Sequence, residues 1–243
     1  LVSKLQQNSV RDAILNEVDE PVNPNIIFDG MTRMVQSMLH RLYPLGEIPD
    51  YEPDPSRSFV EIAKSNNATP EEVLYDYMLK DEGHAMGMMP IFNYVDGNHD
   101  VIREMLLHPQ AVSGLSDGGA HCGMICDASI PTFMLSHWTR DRTRGEKLPL
   151  EWIIKKQTLD TASLYGLSDR GSLKVGKRAD LNVIDYEALT LHGPKMAHDL
   201  PAGGRRLLQE ATGYDYTIVA GQITRDHGKD TGKRPGHLIR GAR

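Results

Sequence analysis

The sequence predicts an α/β chain that ends in a mostly β segment. Three observations predict it. A strand, a helix and a second strand follow one another within about 30 residues, between Met88 and Leu115. Amphipathic helical spacing precedes and follows that unit. After residue 170 the helical texture gives way to short alternating pieces. The expected division is residues 1–170, holding the helices and about two parallel strands, and residues 171–243, a small β domain.

Taken in order, residues 3–20 read as a helix on Leu5, Val10, Ile14, Leu15 and Val18, stopped by Pro21 and Pro24. A second helix is expected over 30–42, where Met31, Met34, Val35, Met38, Leu39 and Leu42 make a stripe suited to plain core packing. Residues 44–58 form a Pro-rich loop. Thr69-Pro70-Glu71-Glu72 announces a helix to about Lys80: Thr69 caps it, Pro70 takes the first helical position and Glu72 closes a capping box. Met88–Tyr94 reads as a buried strand, 98–107 as a helix and Ala111–Leu115 as a short strand. Helices follow at 130–138 and 149–165, the second ending near Gly166. Strands are expected at Gly171–Val175, Ala179–Asp185 and Thr217–Asp226, the last turning at Ala220-Gly221, with a long loop over 192–213.

Composition excludes some classes of function. The 243 residues are 25% charged with a formal net charge of −6, and no Lys/Arg-rich run marks a nucleic-acid binder. No apolar stretch approaches the roughly 20 residues of a membrane span. No secretory signal opens the chain, and its two cysteines make no disulfide framework, so a reduced, cytoplasmic protein is expected. The chain opens at Leu1 in the middle of a pattern, and a partial chain is expected on that ground.

In parallel sheets chemistry collects at the C-terminal ends of strands, and Asp117 stands just past such an end, before Gly118 and Gly119. Two readings are open: a general base or metal ligand on a loop that lets a substrate approach, or a carboxylate closing an Asx-turn. His121, Cys122, Cys126 and Asp127 are ligand types that favour zinc. Three residues separate the two cysteines where zinc sites use two, and there is no second pair, so two inert thiols are the plainer reading. His84 reads as a surface-loop residue; Asn93 and Tyr94, at the other end of that strand, stand nearer the expected chemistry. The chain has no His-Glu-x-x-His, no phosphate loop and no Gly-x-Ser-x-Gly elbow.

The run Gly114-Leu-Ser-Asp117-Gly118-Gly119-Ala-His121 resembles the last catalytic strand of the amidohydrolase superfamily, specifically its N-acyl-D-amino-acid deacylase (D-aminoacylase) branch. Gly171–Asp185 looks like that superfamily's return into its small β domain. Ile218–Gly221 and Thr231–Gly236 resemble the end of it, and Phe92-Asn93-Tyr94 and Leu107-His108-Pro109 fit the same branch. The resemblance implies the C-terminal part of a (β/α)8 TIM barrel plus a small mostly β domain. It implies a hydrolase of amide C–N bonds that uses zinc and takes a small N-acyl amino acid as substrate. In that scheme Asp117 is both the catalytic acid–base and a metal residue, and Gly118, Gly119, His121, Asn93 and Tyr94 contact substrate.

The family's His-x-His pair does not occur in these residues. Residues 1–60 resemble the segment after the sixth barrel strand, so the other ligands are expected upstream of Leu1, with weak or no zinc binding here. Two strands cannot close a barrel, and an open edge seeks a partner, which implies a homo-oligomer or assembly with a missing part. Cyclic-amide hydrolases of the dihydroorotase or hydantoinase kind share the pattern around Asp117. A catalytically silent module that oligomerises is a reading from another class.

Overall fold

The computed structural model describes residues 1–18, 23, 37–114, 116 and 121–240. The chain divides into two compact units, Leu1–Val101 and Ile102–Arg243.

The first unit opens with two short helices, α1 (Val2–Leu5) and α2 (Asn8–Leu15), neither with a buried residue. The single helix expected over 3–20 is thus broken, because Gln7 takes an extended conformation. The helix expected over 30–42 lies mostly outside the described residues; its end is a 3-10 turn, Leu39–Arg41. Next comes strand β1 (Tyr43–Leu45). Helix α3 (Phe59–Asn66), unexpected from the sequence, starts at Ser58, whose hydroxyl accepts the Glu61 N–H, and buries Phe59 and Ala63. Helix α4 (Pro70–Met78) carries the full capping box between Thr69 and Glu72. Arg11 forks onto Asp76 at 2.9 and 3.0 Å and Tyr75 donates to the Leu5 carbonyl, which ties the opening helices to α4.

Strand β2 is Met86–Met88 and pairs antiparallel with β1, Tyr43 opposite Met88. It ends where the expected strand begins. Pro90 has no N–H for a ladder, Asn93 is left-handed at φ 57°, and Ile91, Phe92 and Val95 are exposed. Of that run only Tyr94 is buried hydrophobic core. Helix α5 (Asp100–Leu107) follows.

In the second unit, residues 111–114 form no strand. Among the described residues the expected βαβ unit and parallel sheet therefore do not occur: every strand pair there is antiparallel. Helix α6 (Ile130–Ser136) runs into a π turn, His137–Asp141. Helix α7 (Leu150–Lys155) runs through a second π turn, Lys156–Asp160, into α8 (Thr161–Leu164), and Gly166 at φ 69° ends it as expected. Met134, Trp138, Leu148 and Ile153 form the core here, with Ile102 and Leu106 of α5 packed against them. Arg142 is 1% exposed, its guanidinium 4.9 Å from the Trp138 ring centre and its Nη1 donating to the Glu146 carbonyl.

The β part holds strands β3 (Leu181–Ile184), β4 (Thr190–Leu191), β5 (Lys195–Leu200), β6 (Gly204–Leu208), β7 (Ala211–Thr212), β8 (Tyr214–Val219), β9 (Gln222–Asp226) and β10 (Lys229–Asp230). One sheet has the order β10-β9-β8-β3, and β4–β7 and β5–β6 are separate pairs. Ala220 and Gly221, both at positive φ, make the two-residue turn between β8 and β9 that the sequence predicts. Asp180 braces it, accepting the Ala220 N–H at 2.7 Å while Arg178 donates to both its oxygens.

Two expectations fail in this part. Gly171–Val175 is no strand: Leu173 and Val175 are exposed, and Gly171 and Gly176 stand at positive φ. The 192–213 loop instead contains the β5–β6 hairpin, turned at Ala202-Gly203. Arg140 joins the helices to this region by donating to the carbonyls of Tyr186, Glu187 and Leu189. No helix among the described residues is long and apolar enough to cross a membrane.

Candidate functional site

In the first unit, the chemistry-bearing side chains that fold together are Glu52, Tyr94 and His99. The loop that carries Glu52 is braced locally. Asp50 Oδ1 accepts the Glu52 N–H and Asp50 Oδ2 pairs with Arg57 at 2.7 Å. Asp54 accepts from both the N–H and the hydroxyl of Ser56, which sets the 3-10 turn Pro55–Arg57. These short-range bonds fix the backbone so that Glu52 and Pro53 point inward, and Glu52 is only 2% exposed.

A buried carboxylate needs donors. Glu52 Oε1 takes the main-chain N–H of His99 at 2.7 Å, just before α5, and Oε2 lies 3.9 Å from His99 Nδ1. The His99 ring is itself buried, with the Tyr94 ring edge-on at 5.2 Å. The Tyr94 hydroxyl donates to the Pro53 carbonyl at 2.6 Å, and its ring meets Tyr43 at right angles. Gly97, at φ 66°, allows the chain between Tyr94 and His99 to pass Pro55; a Cβ there would lie 2.4 Å from Pro55 Cγ.

Carboxylate and imidazole are the donor types that divalent ions accept, and both stand inside this unit beside a phenol ring. Sequence reasoning missed Glu52 and His99. They stand 47 residues apart, in no motif, and only the proline-flanked position of Glu52 hints that its backbone is fixed.

Of the residues expected at the site, Asp117, Gly118 and Gly119 lie outside the described residues. Asn93 is exposed and left-handed in the first unit, adjoining buried Tyr94. His121 belongs to the second unit. It too is exposed and left-handed, at φ 50°, and its carbonyl accepts the N–H groups of Met124 and Ile125. His84 is exposed, as its reading as a surface residue requires.

Cys122 and Cys126 are free thiols. Burial, and then the Asp127 carboxylate, pushes the Cys126 thiol up, which disfavours the thiolate that zinc binding needs. The Cys126 Sγ faces Gln209 Oε1 at 3.8 Å; the same oxygen accepts the Ser129 hydroxyl, and Leu207 N–H donates to the Cys122 carbonyl. This segment is therefore a brace between the helices and β6.

Comparison with curated proteins finds no match, nor does comparison with solved structures. The model of the amidohydrolase family matches residues 75–225, well over half of the 243 and a span that brackets Asp117. Members of that family are hydrolases of amide and related bonds and typically use metal ions. On the strength of that match, this chain belongs to the amidohydrolase family.

Proposed function

We propose that this chain serves a metal-dependent hydrolase that cleaves the amide C–N bond of N-acyl amino acids, with the D configuration preferred. The observation that carries the reading is the Gly114–His121 run, which resembles the D-aminoacylase branch and sits inside the matched span. In this reading, residues 1–170 are part of a TIM barrel and 171–243 are its small β domain.

Asp117 takes a proton from the attacking water and hands it to the leaving nitrogen. Gly118 and Gly119 leave room for substrate against the backbone, and His121 and Asn93 supply polar contacts from exposed, left-handed positions. Tyr94, whose hydroxyl donates to the Pro53 carbonyl, anchors the backbone that carries Asn93.

A catalytic zinc takes about three protein ligands. Asp117 is one. When bound, the metal supplies a Lewis acid that polarises the scissile carbonyl. These residues contain no His-x-His, and the active assembly is proposed to supply the family's own pair from elsewhere.

The test is Asp117→Asn in the complete enzyme, assayed on N-acyl-D-amino acids. Asn keeps the size and the turn geometry but cannot take a proton near neutral pH. A loss on the order of 10²–10⁴-fold in kcat is expected, with fold and metal content kept. Near-wild-type turnover would instead assign Asp117 to an Asx-turn, where Asn serves equally well. Turnover of hydantoins or dihydroorotate, with none of N-acyl amino acids, would move the substrate to the cyclic amides.

A further inference from the structure

The segment from Asp169 to Asp180, in the second unit, is a closed loop that holds two apolar side chains in water. Its base is clasped. The Arg178 N–H donates to the Asp169 carbonyl at 2.8 Å, and Arg170 and Arg178 both pair with Asp180. Lys177 Nζ donates to the Ser168 carbonyl. Gly171, at φ 82°, packs the near side of the loop on the helices; a Cβ there would lie 2.8 Å from Ala162 Cβ. The far end is a tight turn, closed by the Lys177 N–H on the Lys174 carbonyl at 3.0 Å. Val175 takes its first corner and Gly176, at φ 85°, its second, where a type II turn requires glycine.

These short-range bonds fix the shape of the loop, yet Leu173 is 85% exposed and Val175 wholly so. Single exposed apolar residues are ordinary; two at the tip of a braced loop, with more at its foot, make a patch. The foot borders a cleft of about 520 Å³, where Tyr165 and Ile239 stand beside Arg170 and Arg240. Both Tyr165 and Ile239 are exposed.

Cations run through the same face. Residues 169–180 hold four Lys and Arg against two Asp, a net charge of +2 in a chain whose net charge is −6. Arg170 and Arg178 take up the two aspartates. Lys174 stands between the two apolar side chains, exposed, with no ion-pair partner among the described residues. An anionic lipid surface accepts both kinds of group at once. Its acyl region receives Leu173 and Val175, and its headgroup phosphates and carboxylates receive Lys174. A convex tip needs no matching pocket there, and a tyrosine ring suits headgroup depth.

We propose that the 169–180 loop is a peripheral membrane contact, which seats the second unit on anionic lipid through Leu173, Lys174 and Val175. The contact is independent of the hydrolase reading.

The test mixes the full chain with sedimentable vesicles of phosphatidylcholine and phosphatidylserine, two to one, and with vesicles of phosphatidylcholine alone. Wild type is expected to sediment with the anionic vesicles, less so as salt rises, and to stay largely free of the neutral ones. Leu173→Ser with Val175→Ser is expected to lower the partition coefficient about tenfold, and Lys174→Glu by about the same factor. Circular dichroism of these tip variants should match wild type. Should the double variant fail to fold, Val175→Ser alone gives the comparison, at a corner that accepts most residues.

Wild type that stays in solution with anionic vesicles overturns the proposal. So does sedimentation that the serine and glutamate variants leave unchanged, which would put the contact on another face. If the serine variants instead dissolve an oligomer seen by light scattering, with no vesicle binding in wild type, the loop's occupant is a second copy and the lipid assignment falls.

Discussion

Glu52 Oε1 accepts the main-chain N–H of His99 at 2.7 Å, closing a loop of 47 residues with one charged bond between two buried groups. Glu52→Ala removes that acceptor and leaves a cavity. A cost of about 3 kcal/mol is expected, and Glu52→Gln, which keeps a neutral acceptor, about half of it. Urea unfolding of the three proteins checks the order. Equal stability of the Ala and Gln variants would show that the charge, and not the bond, matters.

Gly97 and Gly228 separate steric fit from backbone strain. Both have positive φ, 66° and 79°, but only Gly97 is walled in, by Pro55. Gly97→Ala is expected to cost about 2–4 kcal/mol, and Gly228→Ala about 1 kcal/mol from its left-handed backbone alone. Thermal melts of the two variants should therefore differ clearly. Similar shifts would mean that the 95–99 turn readily gives way.

The turn between β9 and β10 should respond to pH. His227 Nδ1 lies 2.6 Å from Asp226 Oδ1 and Nε2 lies 3.7 Å from Asp215, while its ring meets Tyr216 edge-on. The hydrogen bond to Asp226 raises its pKa above the ordinary 6.5; partial burial and Lys229 work against the rise. A raised folded value favours the protonated form in the native state. The stabilisation is complete below about pH 6.5 and is lost as pH climbs through the folded value. An NMR titration of the His227 ring should give a midpoint above 6.5, and one that falls in Asp226→Asn. A midpoint at or below 6.5 would contradict the pairing.

Signals confined to a few neighbouring residues were the ones the sequence made readable. The Thr69–Glu72 capping box, the Ala220-Gly221 turn and the Gly166 helix stop each depend on side chain and backbone within four positions. The misreadings came from apolar runs whose partners are remote. Met88–Tyr94 has strand-like composition, yet Pro90 and left-handed Asn93 exclude a ladder there, and the pairing that forms uses Met86–Met88 against Tyr43–Leu45. The β5–β6 hairpin was hidden because its strands are polar on much of their surface. At the candidate site, the Asp117 run was legible as a family likeness. Glu52 and His99 were not, because burial makes that pair and no local pattern encodes burial.

The two π turns have a consequence for how this chain tolerates changes in length. Each α-helical residue advances the helix by about 100°, whereas a π turn accommodates one residue more than an α turn does. The turn at Lys156–Asp160 thus lets Ile153 before it and Ala162 after it both face inward, although the regular count between them would not keep them aligned. Removing one residue from 157–160 would convert the bulge to plain α-helix, and adding one elsewhere in the same helix would swing a buried face toward water. This helix is therefore a place where a one-residue deletion can be absorbed, while the same deletion in α3 or α4, which lack such slack, would rotate every side chain beyond it.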